Sequence, residues 1–291
     1  MPILDSVETA IAEATGMAAK VTERRSLSGG SINNSEIISL QDGREYFLKS
    51  YSNQAQFPGM FEAEFKCLGL LAQTRTIIVP APVTCSSNFI VLEVFQEADR
   101  QHDWYEKIGR QLAQLHLSTQ GNRFGFEMDN YLGLSRQPNS WTDDWLSFWR
   151  DQRLGWQLEL YARKSEAGDR LLELGDRLIV RLQDLIGDIK EPSVLLHGDL
   201  WSGNSSANPA GEPVIYDPAS YYGHREAEFG MMRMFGGYGP RCEAAYNEIW
   251  PFEDGADDRI TLYRLYHELN HLNLFGKSYY QRCLDTMESL L

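Results

Sequence analysis

The chain predicts an α+β fold in two lobes, a small β-rich lobe over residues 1–96 and a mainly helical lobe over 97–291. Three observations lead there. Strand-like patterns with one inserted helix fill the chain as far as Phe95. Amphipathic helices dominate from Trp104 onward. Two short apolar runs, each ending in an acid, interrupt the helical part. At 291 residues, 43% hydrophobic and 23% charged, the chain has enough apolar surface for one large domain or two modest lobes.

The elements follow in order. MPILDSVETAIAEATG places Leu4, Val7, Ala10, Ile11 and Ala14 on one helical face. It is acidic and lacks Arg, unlike a signal or transit peptide. SEIISLQDGREYFLKSY is a β-hairpin, because two apolar-rich runs flank Asp42-Gly43, a favoured tight-turn pair. FEAEFKCLGLLAQ spaces Phe61, Phe65, Leu68 and Leu71 as a helix, and TIIVPAPV and NFIVLEVF are strand candidates. The lobes are expected to join between Phe95 and Arg100. YEKIGRQLAQLHLST presents Ile108, Leu112 and Leu115 on one face. A Trp-rich helix, WTDDWLSFWRDQRLGWQLELYARK, comes next, then GDRLLELGDRLIVRLQDLIGDI. The strands SVLLHGDL and EPVIYDPA follow, and helices resume to the end.

Composition narrows the function classes. A formal charge of −14 argues against a nucleic-acid partner, which calls for clustered Lys and Arg, and favours cationic small molecules. No apolar run reaches bilayer length. Cys67, Cys85, Cys242 and Cys283 lie far apart with no CxxC pair, as expected of reduced thiols in the cytoplasm.

The chemistry is concentrated in VLLHGDLWSGN, where buried Val194, Leu195 and Leu196 lead into Asp199 and, five residues on, Asn204. Phosphoryl transfer needs a phosphate cradle, a cation, one or two metal ions and a base. Gly29 and Gly30 in SLSGGSINNSEI let backbone N–H groups approach phosphate. Lys49 ends the strand EYFLK, and Glu64 on the next helix can hold it. Glu62 is a rival, but Glu64 stacks one turn before Leu68. Asp199 suits the base, and Asn204 and Asp217, at the end of PVIYD, suit the metal. Each residue alone is an ordinary surface, turn or strand-end residue. The ordered set of Gly loop, strand Lys, helix Glu, H-x-D-L-x-x-x-N and strand-end Asp is a kinase signature.

With these motifs in view, the chain resembles the fructosamine kinase (ketosamine-3-kinase) family, related to aminoglycoside and choline kinases within the protein-kinase-like fold. The likeness covers nearly the whole chain. It is carried by HGDLWSGN, with Trp201 as its distinguishing residue, by DPASYYGHREAEF, by RFGFEMDNYLG and QPNSW, and by LNHLNLFGKSYY. The resemblance implies that ATP, with Mg2+, phosphorylates the 3-hydroxyl of a small-molecule or protein-bound ketosamine, whose ester then decomposes and frees the amine. It implies Asp199 as base, Asn204 and Asp217 as metal ligands, and Lys49 with Glu64 as the phosphate-positioning pair. Glu93, Val94 and Phe95 match the adenine hinge. Gly198 stands where protein kinases have Arg, so no phosphorylation switch is expected. Acceptor candidates in the helical lobe are Asp129, Asn130, Gln137, Asn139, Trp141, Trp201, Tyr222 and His224. Trp201, two residues past the base, is the foremost of them, and local capping or core roles compete for the rest.

Three other readings compete. Another small-molecule kinase, of the aminoglycoside or choline type, would share every motif except the family-specific ones. His267, Glu268 and His271 form H-E-x-x-H, a zinc-peptidase pattern, but only the acids Asp285 and Glu288 follow to supply a third ligand, and no His does. A pseudokinase would have lost the base or a metal ligand, and this chain retains them all.

Overall fold

The computed structural model describes residues 2–27, 34–51, 57–165 and 168–291. Gly29 and Gly30, the expected phosphate cradle, lie outside the described residues. The fold is a two-lobed, kinase-like α+β structure. After α1 (Pro2–Thr15) come β1 (Val21–Ser26), β2 (Asn34–Leu40) and β3 (Glu45–Ser50), then α2 (Met60–Thr74), β4 (Pro82–Ser86) and β5 (Phe89–Glu93). The strands form one antiparallel sheet in the order β1-β2-β3-β5-β4. The β2–β3 turn forms at Asp42-Gly43, with Gly43 at φ 88° and the Leu40 N–H donating to Arg44 O at 2.8 Å.

Strand β5 shows why this sheet is covered on both faces. Phe89 and Val91 pack with Val7 and Ile11 of α1, whereas Ile90 and Leu92 pack with Phe61, Leu68 and Leu71 of α2. The strand period of two sends alternate residues to opposite layers. One strand of this sheet was not expected from the sequence, and one expected strand needs correction. β1, VTERRS, is a real strand whose exposed, charged edge carries no alternation to betray it. TIIVPAPV is not a sheet strand along its length. Ile77 and Val79 are core residues and Ile78 makes only an isolated bridge to Val214. Pairing begins at Pro82, because the prolines lack ladder donors.

The helical lobe runs through α3 (Trp104–Ser118), a hairpin of β6 (Asn130–Leu132) and β7 (Ser135–Gln137), and α4 (Trp145–Trp149). A π turn at Arg150–Leu154 continues α4 into α5 (Gly155–Ala162). Next come α6 (Arg170–Ile186), β8 (Val194–Leu196), β9 (Ser205–Ala207), β10 (Pro213–Ile215) and β11 (Tyr221–Gly223). The chain finishes with α7 (Ala227–Met234), α8 (Gly239–Asn247), α9 (Ala256–Phe275) and α10 (Tyr280–Leu290). β8 pairs with β11, and β9 with β10. Arg153, fully buried at the π turn, stacks 4.0 Å from the Tyr221 ring centre and donates to Pro138 O and Asn139 Oδ1.

The lobes share one apolar core. Phe61, Leu68 and Leu71 of α2 join Ile108, Leu112 and Leu115 of α3, together with Leu195, Leu200 and Ile215 beside the acid-bearing segments. Leu68→Ala is therefore expected to cost about 2–5 kcal/mol and to lower the midpoint of a single thermal transition. Two separated transitions in calorimetry would contradict a shared core.

Candidate active site

Strand β8 is apolar and wholly buried, and it leads through buried His197 to Asp199, which lines the cleft. Gly198 turns the chain at φ 83°, and a Cβ there would stand 2.2 Å from Ala219 O. Only glycine fits this close approach. The arginine of a protein-kinase H-R-D is thus excluded by backbone geometry. Glu228, fully buried near the start of α7, accepts the N–H groups of His197 (2.6 Å) and Gly198 (3.0 Å). Burial pushes its pKa up, but His116, His197 and the bound N–H outweigh that and bring it below the usual carboxylate range. His197 Nδ1 accepts the Asp199 N–H (3.3 Å), so its Nε2–H donates to Tyr216 O (3.0 Å). Burial lowers the imidazole pKa and keeps it neutral for this task. One loop is thereby bonded to the segment that carries Asp217.

Asn204 Nδ2 donates to Asp199 O at 2.9 Å and Asp199 Oδ2 at 3.1 Å. Asp199 Oδ1 is buried with no partner among the described residues, an acceptor left unsatisfied. Burial, with the charge of Asp217 added, raises the Asp199 pKa well above an ordinary aspartate. Asp217 has φ 58°, a strained value for a non-glycine residue. Its Oδ1 accepts from Lys49 Nζ at 2.5 Å, while Lys49 also donates to Glu64 Oε1 at 2.6 Å. Burial alone would lower the Lys49 pKa. Asp217 and Glu64 overcome it, and the net shift is upward. Burial raises the pKa of Glu64 in spite of Lys49. Glu64, not Glu62, is the partner.

The cleft measures about 860 Å³ and brings together Lys49, Glu64, Glu93, Val94, Phe95, Asn130, Asp199, Trp201, Asn204 and Asp217. Ile37, Phe47, Leu92 and Tyr216 give it apolar walls. The indole of Trp201 lies over Gly203, where a Cβ would meet it at 2.2 Å. Asn130 borders the cleft, but its amide is committed inward. It donates to Ser220 O and accepts from Gln137 and Asn139, both of which are buried.

Other acceptor candidates sit elsewhere. Asp129 pairs with Arg136 and accepts the Asn139 N–H. Tyr222 and Trp141, rings 5.8 Å apart, border a separate cavity of about 580 Å³ behind β8. His224 is buried between the Tyr263 hydroxyl (3.0 Å) and Glu191 (3.1 Å). In H-E-x-x-H, Glu268 is held by Arg282 (2.8 Å) and Arg264 (3.0 Å). His271 Nδ1 donates to His267 O, and burial drives the His267 pKa to about 3. No three His, Cys, Asp or Glu groups among the described residues converge to hold a metal. This motif ties α9 to α10.

Two site residues escaped sequence reading. Glu228 lies inside the quoted DPASYYGHREAEF, where a buried acid among apolar neighbours was the available signal. Arg100 donates to Ser202 O and Ser205 O at 2.7 Å while stacking on Trp104, and nothing local marks it.

Glu228→Gln would set an amide N–H against a backbone N–H. We expect kcat to fall about 10²-fold through loop misplacement, with KM for ATP unchanged. A kcat within threefold of wild type would contradict the clamp. Asp199 binds its proton more tightly folded than unfolded, so its contribution to stability is lost as pH rises from the ordinary aspartate value of about 3.9. Asp199→Asn should therefore raise the nucleotide-free Tm at neutral pH but not near pH 4. A Tm lowered at both pH values would refute the raised pKa.

The chain matches the fructosamine kinase family model over residues 3–291. It is 41% identical over 288 residues to a candidate ketoamine kinase of Synechocystis, covering 97% of this chain and 94% of that one. The chloroplastic protein-ribulosamine 3-kinase of Oryza sativa subsp. japonica is 40% identical over 284 residues, covering 95% and 81%. Among solved structures, a candidate fructosamine-3-kinase from Thermobifida fusca superposes with a TM-score of 0.87 at 31% identity, covering 98% of each chain. Together with the cleft and its ordered acids, these likenesses show that the chain belongs to the fructosamine kinase family.

Proposed function

We propose that this protein transfers the γ-phosphoryl group of ATP to the 3-hydroxyl of a ketosamine, a step in deglycation. One observation carries the reading: the partnerless Oδ1 of Asp199 shares a cleft with Asn204, Asp217 and the Lys49–Glu64 pair. Glu93 N–H is spent on Ala81 O at 2.9 Å, which leaves the Val94–Phe95 backbone to meet adenine between the apolar walls. Lys49 positions phosphate oxygens and Glu64 holds Lys49. Asn204 and Asp217 fit Mg2+, which takes few protein ligands and fills its shell with substrate phosphates and water. Bound there, the ion would neutralise charge between the phosphates. Asp199 Oδ1 accepts the acceptor's hydroxyl proton as that oxygen bonds to phosphorus and the bond to ADP breaks. The four thiols are unpaired, which fits a reducing cytoplasmic setting.

Asp199→Asn should reduce kcat by about 10²–10⁴-fold with ATP affinity retained. Asp217→Ala should weaken metal-dependent nucleotide binding as well. The acceptor is tested by ADP release on fructosyl-, ribulosyl- and erythrulosyl-lysine, an aminoglycoside, choline and free hexoses. Turnover confined to the ketosamines supports the proposal; turnover of choline or an aminoglycoside alone ends it.

A further inference from the structure

Trp201 is the first of a row of rings that leaves the cleft. Its indole meets Phe235 edge-on at 5.8 Å, and Phe235 meets His271 at 5.2 Å. His271 in turn meets Phe275 at 5.3 Å and Tyr279 at 5.1 Å. Buried rings would be ordinary core packing. Here Trp201 is 37% exposed, Phe235 44% and Phe275 63%, so three apolar faces in the row stand in water. A run of exposed aromatics joined to a cleft marks an interaction surface. The row also has a polar atom to offer. His271 Nδ1 must carry the proton, because it donates to the His267 carbonyl. Its Nε2 is therefore an acceptor, and it has no partner among the described residues.

We infer that this row docks the polypeptide around a glycated lysine, with Phe235, His271 and Phe275 contacting the chain that flanks the modified side chain. This inference rests on the ketosamine reading above. Length separates a peptide from a lone amino acid as an occupant of the whole row. The four-carbon stem of a lysine spans about one ring-to-ring step from Trp201. Phe275 and Tyr279 lie at the far end of the row, and an extended chain covers each further step with about two residues. Only an amine that continues as a polypeptide reaches them. His271 Nε2 can accept a backbone N–H from that chain, and the rings can cover its apolar side chains.

The test compares ribulosyl-lysine as the free amino acid with the same residue at the centre of a leucine-flanked pentapeptide. Wild type should show kcat/KM about tenfold higher on the peptide, through KM rather than kcat. Phe235→Ala and Phe275→Ser should each remove most of that advantage and leave the free amino acid within about twofold of wild type. Equal kcat/KM for the two acceptors in wild type overturns the inference, as does an equal loss on both acceptors in the variants. A binding arm keeps the inference separate from the reaction: fluorescence anisotropy of the labelled glycated pentapeptide on Asp199→Asn protein. Phe275→Ser added to that protein should weaken binding about tenfold, and unchanged binding sinks the docking surface. If neither ketosamine is turned over while another acceptor is, the proposed reaction fails, and the anisotropy arm still decides the docking surface.

Discussion

Lys49 is the buried cation on which the cleft depends. It sits on the central sheet, yet its two carboxylates come from α2 and from the segment after β10. An unpaired ammonium could not remain charged at that depth. Two acids keep it protonated, and in doing so they register helix, sheet and the segment that carries Asp217 against one another. On the proposed reading the same arrangement suits phosphate, since phosphate oxygens and a metal ion would take the places that Lys49 and Asp217 fill for each other.

The catalytic loop is held by a separate device. Glu228 secures the backbone at His197 and Gly198, His197 reaches Tyr216, and Arg100 grips Ser202 and Ser205 from the other side. The loop that carries Asp199 is thus fixed through its backbone, while Asp199 Oδ1 has no partner among the described residues. Burial and the charge of Asp217 disfavour the ionised form of Asp199, which raises its pKa. A protein-kinase loop is governed partly through its arginine. Here Gly198, packed against Ala219 O, leaves no room for one.

Much of this was legible in the sequence where chemistry and chain position coincide. Asp199, Trp201 and Asn204 fall within one short loop, so their type and spacing carried them into the cleft together. Lys49 and Glu64 were readable because strand and helix periods predict which way each points. Reading failed where three-dimensional packing decides. β1 gave no alternating pattern, and the prolines of TIIVPAPV moved its strand toward β4. In β11 the pleat sends Tyr222 toward Trp141 and away from Asp199. Glu191 and Tyr263 draw His224 into the core. Arg100 contacts residues about a hundred positions away, which no local pattern encodes.

The acceptor side of the cleft now rests on Trp201 and on what lies past it, and the chemistry on where phosphate lands. The most direct measurement is 31P and 1H NMR of the protein acting on ATP and ribulosyl-lysine. The account predicts a phosphomonoester signal coupled to the proton on carbon 3 of the sugar, followed by its decay with release of free lysine. A phosphate on another hydroxyl, or inorganic phosphate alone with the ketosamine intact, would contradict it.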